Sequence, residues 1–206
     1  MMFTLALTTI VAASSSVLGD NALKISNPNE LIEFSNNTND GTTYEGTTVL
    51  LDGDIYFTDE LSRQFLPIKD FSGTFDGQGH VIRNLKIESV SKNVGLFGYS
   101  TGTTIKNVVM DESCSVVNNY ILDGKQTYSG GVIGYCYSYV GKCIIENNVN
   151  MASILFNGST NGTFIGGIAG ALTLRNYPGH IKNCANYGTV SSTGTSSIGT
   201  YIGGVV

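Results

Sequence analysis

The chain of 206 residues has no tryptophan, three prolines and two histidines, and charged residues make up only 13% of it. An ordinary globular domain carries roughly 25% charged residues. No cluster of lysine or arginine is present to neutralise phosphates, which argues against a nucleic-acid-binding protein. The sequence also lacks H-E-x-x-H and C-x-x-C, and with them a metallopeptidase helix and a zinc-binding cysteine pair.

Glycine is abundant instead, with 26 residues, and hydrophobic residues make up 41% of the chain. That hydrophobic share is too high for a disordered protein. Charge is distributed unevenly, because residues 1–124 hold 15 acidic and 7 basic side chains, whereas residues 125–206 hold one acidic and four basic ones. The C-terminal part is therefore positive within an acidic chain.

The first residues, MMFTLALTTIVAASSSVLGD, form an apolar run followed by small residues. The run is too short to span a membrane and is typical of a secretory signal peptide, which we assign to residues 1–19. The alternative is a buried N-terminal segment. Three N-x-S/T sequons, at Asn36, Asn157 and Asn161, agree with an exported glycoprotein. We therefore expect the chain to be secreted or displayed at the cell surface.

Glycine-rich segments recur along the chain, since VGLFG, GGVIG, GGIAG and GGVV follow one another at steps of 36, 36 and 37 residues. A dinucleotide-binding loop occurs once and precedes a helix, so these glycines are predicted to be part of the scaffold. The repeated units alternate apolar and polar residues and are rich in Val, Ile, Thr and Tyr, which is typical of short strands. We predict an all-β chain whose residues 71–206 form stacked parallel coils, incomplete at the C-terminal end.

A second element, I-x-N, occurs four times and ends in Asn84, Asn107, Asn147 and Asn183. Asparagine tolerates the left-handed backbone conformation that a sharp turn requires. We predict that the four asparagines stack at one corner as a ladder of side-chain amides, above a row formed by the isoleucine of each copy. The step of 23 residues from Asn84 to Asn107 is interpreted as one coil without an insertion.

Residues 20–70 are expected to cap the first coil, where strand edges would otherwise be exposed. In ISNPNELIEFSNN, Asn27 as N-cap, Pro28 and Glu30 predict the start of a helix. A strand is predicted over residues 47–57, TTVLLDGDIYF, and no later stretch has a helical period.

These segments resemble a known family. The cap helix, VLLDGDIYF, FSGTFDGQGHVIRNLKI and VGLFGYSTGTTIKNVVM are similar to secreted proteins with the short glycine-rich GLUG-type repeat, over residues 26–206. The family includes large surface adhesin-like proteins and the N-terminal regions of immunoglobulin-A-type metallopeptidases. The resemblance implies a right-handed parallel β-helix of the pectin-lyase-like kind. Phe65 and Leu66 stand where the family has tryptophan, and Lys69 stands where it has glycine.

Asp76, in FDGQGH, is the most conspicuous carboxylate, because enzymes that cleave polysaccharides use grouped acids. The Asp-Gly pair is also typical of a turn, and Glu146 is the only acid after Asp123. Asp52-Gly53-Asp54 lacks the spacing of a calcium-binding loop. We expect no metal, no cofactor and no catalytic residue in this chain.

Cys136 and Cys143 flank the corner insertion YSYVGK, and a disulfide between them would close it in an exporting compartment. Cys114 is either free or paired, and Cys184 aligns with an apolar position. Sequence alone does not fix the connectivity of four cysteines.

Tyr135, Tyr137 and Tyr139 alternate in YCYSY and are our candidate ligand-binding residues. Tyrosine offers a large amphipathic contact area, which suits a glycan or a protein. The alternative is that the rings only pack along a strand edge.

The function that we favour is an adhesin-like or structural module without catalysis, which binds an extracellular protein, a matrix component or a glycan. More coils are expected to follow Val206. Two alternatives stay open: the non-catalytic N-terminal domain of a secreted metallopeptidase, and a β-helix lyase or hydrolase that acts on polysaccharides.

Overall fold

The computed structural model describes residues 22–206, and the proposed signal peptide at 1–19 lies outside them. The described chain is mostly β, with 23 strands and two helices, α1 (Pro28–Asn39) and α2 (Asp59–Ser62). The strands form five sheets, and all neighbouring strands are parallel. The prediction of an all-β chain with parallel strands is confirmed. Neither helix within residues 22–206 has the length and apolar character needed to cross a membrane.

The chain visits the five sheets in a fixed order, and we number the sheets first to fifth in that order. We call one such passage through the sheets a circuit. A partial passage comes first. It places β1 (Ala22–Ile25) and β2 (Thr48–Leu51) in the first sheet, β3 (Ile55–Tyr56) in the second and β4 (Ile68–Lys69) in the fifth. Circuit one contains β5 (Thr74–Asp76), β6 (Val81–Arg83), β7 (Lys86–Ser89), β8 (Asn93–Val94) and β9 (Phe97–Ser100). Circuit two contains β10 (Thr103–Lys106), β11 (Val109–Met110), β12 (Ser115–Asn118), β13 (Ile121–Gly130) and β14 (Ile133–Ser138).

Circuit three contains β15 (Cys143–Glu146), β16 (Val149–Asn150), β17 (Ser153–Phe156), β18 (Ser159–Gly166) and β19 (Ala169–Leu174). Within each of these circuits the strands lie in the first to fifth sheets in turn. Circuit four supplies strands to the first four sheets: β20 (Gly179–Lys182), β21 (Ala185–Asn186), β22 (Val190–Ser192) and β23 (Thr195–Gly203). Equivalent positions of successive circuits are therefore direct neighbours.

Each sheet buries one face, because alternate residues of a strand point to opposite sides. In the first sheet the buried row runs through paired residues of successive passages, Val49, Phe75, Ile105 and Ile145. Buried residues from all five sheets belong to a single core. Burial contributes about 25 cal/mol per Å² of apolar area, so the repeated apolar position stabilises the stack at every step.

The four asparagines of the I-x-N element all have a positive φ, between 52° and 58°. Asn107, Asn147 and Asn183 each follow a strand of the first sheet, and these strands pair in register. The Asn183 side-chain amide donates to Oδ1 of Asn147 over 3.3 Å. Asn84 follows β6, which lies in the second sheet. The structure thus corrects the prediction that Asn84 stacks with the other three.

The interpretation of the 23-residue step as one coil fails for the same reason. Ile82 pairs with Ile55 and Met110 in the second sheet, whereas Ile105 pairs with Phe75 in the first. Two different corners require a residue with left-handed backbone after a short strand, and the I-x-N pattern supplies it at both. At the corner of Asn107 the preceding circuit has Gly77, where a Cβ would lie 2.4 Å from the Asn107 carbonyl oxygen.

Helix α1 begins as predicted, with Asn27 Oδ1 accepting a hydrogen bond from the Glu30 amide over 3.1 Å. Its buried face places Phe34 against Phe71 and Phe75, with ring centroids 5.4 and 5.9 Å apart. The helix therefore covers the aromatic end of the core.

The strand predicted over residues 47–57 is two strands, β2 and β3, in different sheets. They pair with β5 and β6, so the stack of parallel strands begins before residue 71. Helix α2 was not expected from the sequence, although Thr58 caps it and two acidic residues follow in its first turn. Ser62 Oγ of this helix accepts a hydrogen bond from the Lys86 amide over 2.5 Å and so covers the edge of β7.

The repeated glycines provide a test of close packing between circuits. A Cβ on Gly167 would lie 2.1 Å from the Gly204 carbonyl oxygen, whereas a Cβ on Gly204, its partner in circuit four, would meet no atom within 4 Å. We expect Gly167→Ala to lower the free energy of unfolding by about 1–3 kcal/mol. Gly204→Ala should change it by less than about 0.5 kcal/mol. Urea unfolding curves measure both, and equal effects would contradict close packing at Gly167.

Candidate functional site

The three predicted tyrosines lie together on the fifth sheet. Tyr135 and Tyr137 belong to β14, and Tyr139 follows its last residue. The rings of Tyr135 and Tyr137 are 6.1 Å apart at an interplanar angle of 16°, and those of Tyr137 and Tyr139 are 5.8 Å apart at 11°. The alternating tyrosines therefore form one stacked row.

This row continues onto the fourth sheet. Tyr128 stacks on Tyr135 with centroids 4.6 Å apart, Phe164 stacks on Tyr128 at 5.2 Å, and Tyr201 stacks on Phe164 at 4.9 Å. Tyr99 lies beside Tyr135 at 5.8 Å in a tilted arrangement. We call the set the aromatic surface, which consists of Tyr99, Tyr128, Tyr135, Tyr137, Tyr139, Phe164 and Tyr201.

The pairing of circuits explains why rings so far apart in sequence meet. Tyr128 pairs with Phe164, and Phe164 pairs with Tyr201, in neighbouring strands. Tyr99 pairs with Tyr135 in the same way. The sequence analysis missed Tyr99, Tyr128, Phe164 and Tyr201. Tyr99 precedes Tyr135 by 36 residues, and Tyr128, Phe164 and Tyr201 follow one another at 36 and 37 residues. These are the steps of the glycine repeat, which would have identified the four rings.

Two cations border the aromatic surface. Lys92 Nζ lies 5.7 Å from the centroid of Tyr128, and the Arg175 guanidinium carbon lies 5.7 Å from that of Tyr139. Arg175 also donates a hydrogen bond to the Tyr137 hydroxyl over 2.5 Å. Contacts between a cation and an aromatic ring are worth about 0.5–1 kcal/mol at exposed sites. The guanidinium is therefore held in place while it remains open to solvent.

Two phenol groups of the surface lie in partly buried positions that disfavour loss of their proton. Burial raises the pKa of Tyr99 and of Tyr128 above their ordinary value of 10.0. Tyr139 and Tyr201, at opposite ends of the stack, are 48% and 54% exposed. The surface thus offers tyrosine rings to solvent, with one positive side chain near the middle of the stack and one at its Tyr139 end.

A disulfide joins Cys136 and Cys143, the pair that the sequence analysis proposed. Cys136 lies in β14 between Tyr135 and Tyr137, and Cys143 begins β15. The bond closes the corner insertion that carries Tyr139. Cys114 is a buried free thiol and Cys184 a partly exposed one.

The Asp76 carboxylate is fully engaged by neighbouring donors. Oδ1 accepts from the Gln78 amide over 2.9 Å and from the Asn107 side chain over 2.8 Å, and Lys106 Nζ lies 3.2 Å from Oδ2. Burial raises the pKa of Asp76, but hydrogen bonds from Asn107, Gln78 and Lys106 outweigh it, and the pKa lies below the ordinary 3.8. A general acid needs a raised pKa, so this environment suits an anchor of the turn.

Other carboxylates are held in ion pairs. Arg83 lies 2.8 Å from Asp54 and 3.8 Å from Asp111, and Lys24 lies 3.3 Å from Asp52. The backbone amide of Val81 and then Arg83 lower the pKa of Asp54, although burial opposes them. Within the described residues, no group of three His, Cys, Asp or Glu side chains is placed to hold a metal ion.

The three sequons lie in different surroundings. Asn36 is exposed on α1, but its Thr38 is buried and donates to the Ser35 carbonyl over 2.8 Å. Asn157 is exposed and accepts a hydrogen bond from Thr193, while Asn161 is half-buried. Glycosylation at all three remains a prediction.

Comparison with known proteins gives one short match. A stretch of 80 residues, 36% of this chain, is 39% identical to halomucin from Haloquadratum walsbyi (strain DSM 16790 / HBSQ001). The match covers 1% of halomucin. No protein-family model and no solved structure matches the chain.

The lowered pKa of Asp76 predicts a contribution to stability that depends on pH. Because the carboxyl pKa is lower in the folded state, ionised Asp76 stabilises the fold at pH values above 3.8, its ordinary pKa. This stabilisation is lost as the pH falls through the folded-state pKa. We expect the urea midpoint of the wild type to fall more steeply below pH 4, roughly the unfolded pKa, than that of Asp76→Asn.

Glu45→Gln is the matched control, because Glu45 is exposed and makes no side-chain hydrogen bond among the described residues. The control should retain the acid dependence of the wild type. An unchanged acid dependence in Asp76→Asn would show that the hydrogen bonds to this carboxylate do not stabilise the fold.

The disulfide predicts the outcome of thiol titration. The denatured, unreduced chain should react with two equivalents of Ellman's reagent, and the reduced chain with four. In the folded protein Cys114 should react last, because burial raises its pKa and removes it from solvent. Four reactive thiols without reduction would refute the bond.

Proposed function

We propose that this chain is a secreted or surface-displayed module of the GLUG-repeat kind, folded as a right-handed parallel β-helix, which binds an extracellular partner through the aromatic surface. The observation that carries the binding role is a stack of six rings with Tyr99 tilted beside it, bordered by Lys92 and Arg175, on the outer faces of two sheets. Exposed aromatic and arginine side chains are the residues enriched in binding sites.

The order of the sheets supports the β-helix. Each circuit returns to the first sheet one strand further along, and all strand pairs are parallel. Parallel neighbours require a long crossover, which is usually a helix. In this chain four more strands, one in each other sheet, make that crossover. A coiled path through five sheets satisfies this requirement with short turns.

An extracellular location is supported by three observations. The chain begins with a segment typical of a signal peptide, and it carries three sequons. Disulfides such as Cys136–Cys143 persist in oxidising compartments. The short similarity is to a protein named halomucin.

Binding is favoured over catalysis by the state of the carboxylates. Cleavage of polysaccharides by the common mechanism needs two carboxyl groups, one of which keeps its proton near neutral pH. The pKa of Asp76 is lowered, and its oxygens are bound by three donors. Glu146 is bound to His180 over 2.6 Å. These groups act as structural partners of their turns and strands.

Binding to extracellular ligands tests the proposal. Fluorescently labelled full chain should bind saturably to at least one ligand in a panel of matrix proteins and purified glycans. Changing Tyr137 and Tyr139 together to Ala should weaken that binding at least tenfold, or about 1.4 kcal/mol. Tyr187→Ala is the matched control, because this ring is 77% exposed and lies outside the aromatic surface.

Absence of binding to every ligand in the panel would overturn the adhesin-like role. Cleavage of a polysaccharide by the wild-type chain would support the enzyme alternative instead. If the control weakened binding as much as the double variant, the aromatic surface would not be the binding site.

A further inference from the structure

The chemistry of the aromatic surface depends on which part of each ring meets solvent. From Tyr201 through Phe164 to Tyr128, and from there to Tyr139, neighbouring planes are within 16° of parallel at centroid distances of 4.6–6.1 Å. Rings at this distance and angle overlap in an offset stack. The inner rings therefore share both faces with neighbours and can meet solvent only at their edges, while Tyr201 stacks on one face only among the described residues. At the Tyr139 end, Arg175 lies over the last ring.

Ring edges are electropositive, because the aromatic quadrupole is negative on the face and positive at the edge. Lys92 and Arg175 add full positive charges, and neither forms an ion pair with a described carboxylate. The charge of Asp70 contributes to the raised pKa of Tyr99, after burial. Residues 125–206 as a whole carry four basic side chains and one acidic side chain. These features favour an anionic ligand over a neutral one.

The length of the surface favours a polymer. Tyr99 lies in circuit one and Tyr201 in circuit four, and successive circuits are separated by one strand spacing. Three strand spacings of about 4.8 Å give a surface roughly 14 Å long in the direction in which the circuits stack. It lies on the outer faces of two sheets, unlike the concave pockets that enclose small molecules.

Among anionic polymers, nucleic acid and acidic peptide fit less well. Single-stranded nucleic acid stacks its bases on free ring faces and needs a row of cations along its backbone. An extended peptide adds to a free strand edge, whereas the strands that carry five of the seven rings, β9, β13, β14 and β18, are paired on both sides. Of the rings on strands, only that of Tyr201 lies on an edge strand, β23. A polysaccharide requires neither feature, because its hydroxyls bond to phenols and its acidic groups to cations.

We infer that the aromatic surface binds an acidic polysaccharide, whose carboxylate or sulfate groups pair with Arg175 and Lys92 while its hydroxyls lie along the tyrosine edges. This inference rests on the proposed binding function and names its ligand. Arg175 is suited to the contact because the Tyr137 hydroxyl fixes one side of its guanidinium and leaves other N–H groups free. Paired N–H donors recognise carboxylate and sulfate oxygens.

The test compares three polysaccharides as probes against the full chain: polygalacturonate with carboxylates, heparin with sulfates as well, and neutral dextran. We expect saturable binding of polygalacturonate, heparin or both, and none of dextran. The first two probes distinguish the kind of acidic group. Arg175→Gln and Lys92→Gln should each weaken binding roughly tenfold and reduce its salt dependence. Arg175→Lys should restore part of the loss.

Lys182→Gln is the matched control, because Lys182 is exposed in the same positive part of the chain but lies on the first sheet. An equal loss in this variant would reveal attraction by net charge alone and overturn the inference. Unfolding midpoints of the Arg175 and Lys92 variants should equal that of the wild type, since both side chains are exposed.

Three further outcomes separate the inference from the proposed function. Equal affinity for dextran, or tighter binding of single-stranded DNA than of heparin, would overturn the acidic-polysaccharide ligand and leave a binding role. Saturable binding of a matrix protein without any polysaccharide would do the same. Failure to bind any protein or glycan would overturn both.

Discussion

The structure depends on one constraint, which is that each residue lies one strand spacing from its equivalent in the next circuit. The residue at a given position must therefore also pack against the equivalent residue of the next circuit. Apolar residues become the buried row of Val49, Phe75, Ile105 and Ile145. Glycine becomes necessary where carbonyl groups of the next circuit approach, as at Gly167. The aromatic surface follows from the same rule on the outside.

Charges obey this constraint too. The outward row of the first sheet runs Asp76, Lys106, Glu146 and Lys182, so that opposite charges alternate from strand to strand. Opposite charges directly across neighbouring strands stabilise a sheet, and like charges destabilise it. Lys106 lies 3.2 Å from Asp76, while Glu146 turns to His180. Several of the few charged side chains thus lie next to a side chain of opposite charge in the neighbouring circuit.

The sequence predicted those features that a single stretch of chain determines. Asn27, Pro28 and Glu30 determine where α1 begins, and the recurrence of glycine indicates stacked parallel strands. Features that depend on which residues become neighbours were not predicted. Asn84 and Asn107 both end an I-x-N element and both have a positive φ, and only strand pairing assigns them to different corners. Tyr128, Phe164 and Tyr201 meet because of the period, so local motifs did not identify them.

The direction of the hydrogen bonds between circuits has a mechanical consequence. These bonds lie along the stacking axis, so tension applied to the two ends of the stack pulls neighbouring circuits apart along the hydrogen bonds that join them. The chain would then lengthen in steps of one repeat, and 36 residues extend to roughly 120 Å. The Cys136–Cys143 bond removes only its own short corner from that length. A stack of circuits joined in this way would lengthen stepwise under tension.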